Sequence, residues 1–75
     1  MSIAQKLYDK LISNFSQDEI KEIVKSAGAD PENVIPQKAK KPEAARESVQ
    51  YFKRHGQLEE FGKEALNAAR RKGNA

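Results

Sequence analysis

The chain has 75 residues, 33% of them charged, with a formal net charge of +3 and no cysteine. That length supports one small domain, and the missing cysteine excludes disulfides, thiol nucleophiles and thiolate metal sites. A single histidine, His55, excludes a His–His metal pair, and no apolar run approaches the roughly 18 residues of a membrane span.

Leu, Ile, Val and Phe contribute four, five, three and three residues, near the lower limit for a chain that folds. The modest net charge and the regular spacing of the apolar residues argue for order. The start, Met1-Ser2-Ile3-Ala4-Gln5, carries neither the basic stretch nor the apolar block of a secretory signal. A cytoplasmic location is expected, with Met1 as the natural start.

Glycine and proline divide the chain into helical patterns and leave no strand pattern. Over residues 2–14, Ile3, Leu7 and Leu11 form one stripe, and Ala4, Tyr8, Ile12 and Phe15 form a second beside it. Two stripes cover about half of a helix circumference, more than a surface helix needs. This segment therefore reads as the central helix.

Ser16-Gln17-Asp18-Glu19 has the spacing of a capping box. Ile20, Ile23, Val24 and Ala27 then share a face, and Gly28 supplies a stop. Asp30-Pro31 suits a very short helix, with Asp as cap and Pro in the first turn, closed by Pro36. Residues 37–41 read as an exposed basic loop. Pro42 opens a further pattern over 42–55, with Ala45, Val49 and Phe52 inward and Gly56 as its stop.

The last pattern runs from about Gln57 to Arg71 and turns Leu58, Phe61, Ala65, Leu66 and Ala69 inward. Gly62 falls on the same side. A helical glycine costs about 1 kcal/mol relative to alanine, so close approach of another helix near Tyr51 or Phe52 is the expected reason for it. Residues 1–72 are expected to form a single helical domain and Gly73-Asn74-Ala75 to fray. The architecture is all-α: a compact bundle of four main helices plus one or two short ones.

Little in the chain supports catalysis. Ser48 lies seven residues before His55, ~10.5 Å along a helix and too far for a nucleophile–base contact. His55 just before a helix-ending glycine reads as a favourable C-terminal charge. Glu59, Glu60 and Glu64 cluster, but Lys63 sits at ion-pair spacing to Glu59 and Glu60, as on a solvated face. There is no glycine-rich phosphate loop and no calcium-loop spacing. The expectation is a non-enzymatic protein without metal or cofactor.

Charge is unevenly distributed along the chain. Residues 17–33 hold Asp18, Glu19, Glu22, Asp30 and Glu32 against Lys21 and Lys25, a net −3; residues 38–55 hold Lys38, Lys40, Lys41, Arg46, Lys53 and Arg54 against Glu43 and Glu47, a net +4. An acidic and a basic region on one body suit a heterologous contact between copies, which closes into a ring or propagates as an open helix. The candidate partner-binding residues are Asp18, Glu19 and Glu22 on the acidic side. On the basic side they are Arg46, Lys53, Arg54, Lys38, Lys40 and Lys41. The alternative is a small basic nucleic-acid-binding protein gripping phosphates through the basic groups and Arg70-Arg71-Lys72. Against it stand the small charge excess, Glu43 and Glu47 within the patch, and the lack of interleaved aromatics for base stacking. A third class, an antitoxin or inhibitor masking one enzyme, predicts a tight one-to-one complex without self-assembly.

Leu7-Tyr8-Asp9-Lys10-Leu11-Ile12-Ser13-Asn14-Phe15 resembles the opening helix of the bacterial effector-associated domains. Tyr51-Phe52-Lys53-Arg54-His55-Gly56-Gln57-Leu58-Glu59-Glu60-Phe61 is similar to that family's second signature, an aromatic helix ending at His/Arg-Gly before a Leu-x-x-Leu helix. The resemblance spans residues 7–69. It implies a death-like (death-domain-like) helical bundle that acts as an adaptor. Such an adaptor recruits or clusters effectors in bacterial immunity and antiphage defence signalling by association with a similar domain, self-association included. The matching positions, Leu7, Leu11, Phe15, Tyr51, Phe52, Gly56, Leu58 and Phe61, are structural, and the family brings no catalytic residues. Gly62 stands where the family usually has an apolar residue, and Arg71-Lys72-Gly73-Asn74-Ala75 lacks its proline-bracketed close.

Overall fold

Local signals in the sequence set most of the helix ends in the computed structural model, which describes residues 2–73. Five helices and no strands lie among them: α1 (Ile3–Asn14), α2 (Gln17–Ser26), α3 (Pro31–Val34), α4 (Lys41–Arg54) and α5 (Leu58–Gly73). Ser2 caps α1 by accepting from the Gln5 N–H at 3.1 Å. The capping box of α2 is complete: Ser16 Oγ accepts from the Glu19 N–H at 3.2 Å, and the Ser16 N–H donates to Glu19 Oε1 at 2.7 Å. Asp30 caps α3 through the Glu32 N–H at 3.0 Å.

Two helices end in the same left-handed glycine motif. Gly28 (φ +96°) and Gly56 (φ +70°) are the residues with positive φ among those described. Ala29 N–H reaches back to Val24 O and Gly28 N–H to Lys25 O; Gln57 N–H and Gly56 N–H repeat the pattern on Phe52 O and Lys53 O. These paired 6→1 and 5→2 bonds satisfy carbonyls that a helix end otherwise leaves open.

The central helix is α4, a correction to the expectation for α1. It packs against each of the other four helices, whereas α1 packs mainly on α4 and α5. The periodic pattern of α4 underestimates its buried face, because Ala44 and Ser48 are enclosed beside Ala45, Val49 and Phe52. In α1 the expected Ile3–Leu7–Leu11 stripe is broken at Ile3, which is 65% exposed, while Leu7 and Leu11 are buried.

Phe52 of α4 and Phe61 of α5 stack near the middle of the core, with centroids 4.4 Å apart and rings 11° from parallel. Tyr51 meets Phe52 edge-on at 5.1 Å. Around them Leu11, Phe15, Ile20, Ile23 and Val24 close the core from α1, the connecting corner and α2. The radius of gyration is 11.0 Å, matching the about 11.4 Å of a compact domain of this length.

Three expectations for individual residues are revised. Leu66 is 48% exposed instead of inward-facing. A Cβ built on Gly62 would meet nothing within 4 Å, so no helix approaches there. The 37–41 loop is pinned by Ala39, which is buried and whose carbonyl accepts from Gln17 Nε2. Lys38 and Lys40 stay exposed, while Lys41 is partly covered as the first residue of α4. Helix α5 extends through Gly73; the expected fraying of Asn74 and Ala75 lies outside the described residues.

Candidate interaction surfaces

Two of the basic residues of α4 face α1. Arg46 and Lys53, seven residues and two helical turns apart, line a groove of about 420 Å³ with Ser2, Gln5, Tyr8, Val49 and Gln50. Among the described residues, no carboxylate lines this groove. Its floor is apolar, from Ala4 and Val49, and Gln5 Nε2 is turned to Asp9 Oδ1 at 3.1 Å.

The other four basic candidates lie elsewhere. Arg54 is exposed at the last position of α4, outside the groove, and Lys38, Lys40 and Lys41 gather at its opposite end. A fourteen-residue helix spans ~20 Å, so the basic set forms three groups, and only Arg46 and Lys53 share a groove.

On α2, Asp18 and Glu22 are four residues apart on one exposed flank. Glu22 also borders an open depression of about 1090 Å³ between α2 and α3, beside Lys21, Lys25, Asp30 and Glu32. That depression is of mixed sign. It shares no lining residue with the α1–α4 groove.

Glu19 is partly covered and already engaged. Its Oε1 accepts from the Ser16 N–H and from Lys72 Nζ, each at 2.7 Å. Lys72 Nζ also donates to Asn14 O at 2.6 Å and lies 5.5 Å from the Phe15 ring centre. Both hydrogen bonds favour the charged carboxylate, so the Glu19 pKa is held below its ordinary value, by Lys72 first and the Ser16 amide second. This is the single ion pair within 4 Å among the described residues. The remaining acidic and basic candidates, exposed apart from the partly covered Lys41, make no ion pair among the described residues.

The groups weighed for catalysis stay apart. Ser48 is fully buried and donates to Ala44 O at 2.7 Å, while His55 is exposed with its ring 4.3 Å from that of Tyr51. Among the described residues, no three His, Asp or Glu side chains, Glu59, Glu60 and Glu64 included, converge as a metal site. No described helix is long and apolar enough to cross a membrane.

Sequence reasoning named Lys72 only among the basic groups of the nucleic-acid alternative and missed its contact with Glu19, because a contact across 53 residues leaves no local pattern. It also missed the roles of Tyr8 and Gln5 beside the basic pair. Compared with protein-family models, with curated proteins and with solved structures, the chain matches none.

Proposed function

We propose that the chain is a non-enzymatic adaptor domain of death-like fold that binds a similar domain, a second copy of itself included, and so recruits or clusters effectors in bacterial antiphage defence. The observation that carries the reading is the separation of opposite, unpaired charges. Arg46 and Lys53 lie in the α1–α4 groove, Asp18 and Glu22 lie on α2, and none of the four has an ion-pair partner among the described residues. The death-like fold and the defence setting rest on the resemblance in residues 7–15 and 51–61.

The acidic flank of one copy docking on the basic groove of the next is a head-to-tail contact, which leaves one free surface of each kind and therefore repeats. Each exposed ion pair contributes only about 0–1 kcal/mol, so assembly depends on repetition and on local concentration. Such a mechanism suits a switch triggered by crowding of the domains. The cytoplasm is the proposed setting.

Sedimentation velocity over a concentration series at low and high salt tests the reading. Association that weakens with salt, is lost in Asp18→Lys/Glu22→Lys and returns on mixing with Arg46→Glu/Lys53→Glu supports it. Folded variants that associate as the parent does overturn it. Salt-sensitive binding to nucleic acid that tracks Lys38, Lys40, Lys41 and Arg70-Arg71-Lys72, by a chain that stays monomeric, would replace it with nucleic-acid binding.

A further inference from the structure

The acidic flank of α2 holds three carboxylates, and the chain already supplies a cation to one of them. At 3.6 residues per turn, Asp18 and Glu22 are about 40° apart around α2, and Glu19 widens that arc to about 100°. With Glu19 free, the arc presents three negative charges. With Lys72 on it, the local charge falls by one, and the carboxylate oxygen nearest the helix start is covered.

The contact is specific. Of fourteen Lys and Arg and eleven Asp and Glu in the sequence, Lys72 and Glu19 are the ones that meet within 4 Å among the described residues. Three features of the corner between α1 and α2 converge on the Lys72 ammonium: the Asn14 carbonyl at 2.6 Å, Glu19 Oε1 at 2.7 Å and the face of Phe15 at 5.5 Å. The neighbouring cations Arg70 and Arg71 make no such contact.

We propose that Lys72 is an internal competitor for Glu19, an autoinhibitory contact in which the last turns of α5 mask part of the acidic docking flank until a partner's cation displaces them. The inference rests on the charge-paired association proposed above. Both side chains are substantially exposed, 47% for Lys72 and 40% for Glu19. An exposed pair is weak and screened by salt, so exchange for an arginine or lysine of a docking partner is accessible. Glu19 keeps its place during the exchange, because the Ser16 amide holds the same oxygen. The freed end of α5 would then report, at the edge of the interface, that docking has occurred.

The test is the self-association constant of Lys72→Met by sedimentation velocity, with Arg71→Met as a control of equal charge change. Relief of the contact should tighten association roughly two- to fivefold, leave Arg71→Met and Lys72→Arg at the parental value, and speed amide exchange in the last turns of α5. In a Glu19→Gln background, which keeps the capping box, the Lys72→Met gain should vanish. Equal gains in Arg71→Met and Lys72→Met would assign the effect to net charge and overturn the proposal. So would a Lys72→Met chain that is folded and no tighter than the parent while Asp18→Lys/Glu22→Lys still abolishes association; that result leaves charge pairing intact. If Asp18→Lys/Glu22→Lys has no effect either, charge pairing itself fails, and the masking role fails with it.

Discussion

Phe52 and Phe61 lie nearly parallel, 4.4 Å between ring centres, and neither has any solvent exposure. The pair joins the central helix to the C-terminal one, and it forms across the Gly56 turn. Truncating either ring leaves a cavity that α4 and α5 cannot both close. Phe61→Ala and Phe52→Ala should each cost about 3–5 kcal/mol, a large share of the stability of so small a domain. Urea titration followed by far-ultraviolet circular dichroism measures this; a loss below about 1 kcal/mol would mean that α5 is not part of the cooperative core.

The two helix-associated glycines at 56 and 62 should respond in opposite directions. Gly62 sits inside α5 with nothing near its missing Cβ. Gly62→Ala should therefore stabilise by about 1 kcal/mol, or roughly 4–8 °C in Tm. Gly56, at φ +70°, ends α4 in a conformation that costs other residues about 1–2 kcal/mol. Gly56→Ala should lower Tm by a comparable amount.

Ser48 separates a structural hydroxyl from a chemical one. It is the buried polar side chain of the core, and its hydrogen bond stays within α4, to Ala44 O. Ser48→Ala should change stability by no more than about 1 kcal/mol and leave association unchanged. Ser48→Leu overfills the same site and should cost about 1–3 kcal/mol. A loss of association in the stable alanine variant would mark Ser48 as functional.

The Glu19 contact predicts an acid-dependent stability. Its folded pKa lies below the ordinary value because Lys72 and the Ser16 amide favour the charged form. A depressed pKa contributes stability that is fully present above the unfolded value of about 4.3 and is lost as pH falls through the folded one. Glu19→Gln should thus start less stable than the parent near neutral pH and lose less on acidification. Thermal melts from about pH 6 to about pH 3 check this; parallel losses in both chains would show that Glu19 contributes nothing.

Much of the fold is legible in the sequence where a single residue decides a local geometry. Ser16 with Glu19, Asp30 with Pro31, and the two glycines at 28 and 56 each act within a few residues of themselves, so pattern and structure agree at those positions. What the pattern misses is tertiary. Ala44, Ser48 and Ala39 carry little hydrophobic signal, yet their small size is what lets α4 be enclosed on several sides and lets the loop before it press inward. Leu66 and Ile3 carry strong signal and stay largely exposed, because no neighbouring helix reaches their side of α5 and α1. The uneven charge can be read by counting along the chain. Its division into a groove pair, a loop group and a lone arginine cannot, because that depends on which side of α4 is covered by α1.

The position of α4 sets the order in which this chain can become a protein. Helices α1 and α2 both lean on α4 and pack little on each other, so the first forty residues have no shared core of their own. Their apolar faces wait for a segment that leaves the ribosome after them, and Phe52 then waits for Phe61. A nascent or cleaved chain lacking residues beyond Arg54 would hold four helical sequences and no closed interior. Folding is therefore expected to be one cooperative transition of the domain, in which α1 and α2 are stabilised once α4 is in place.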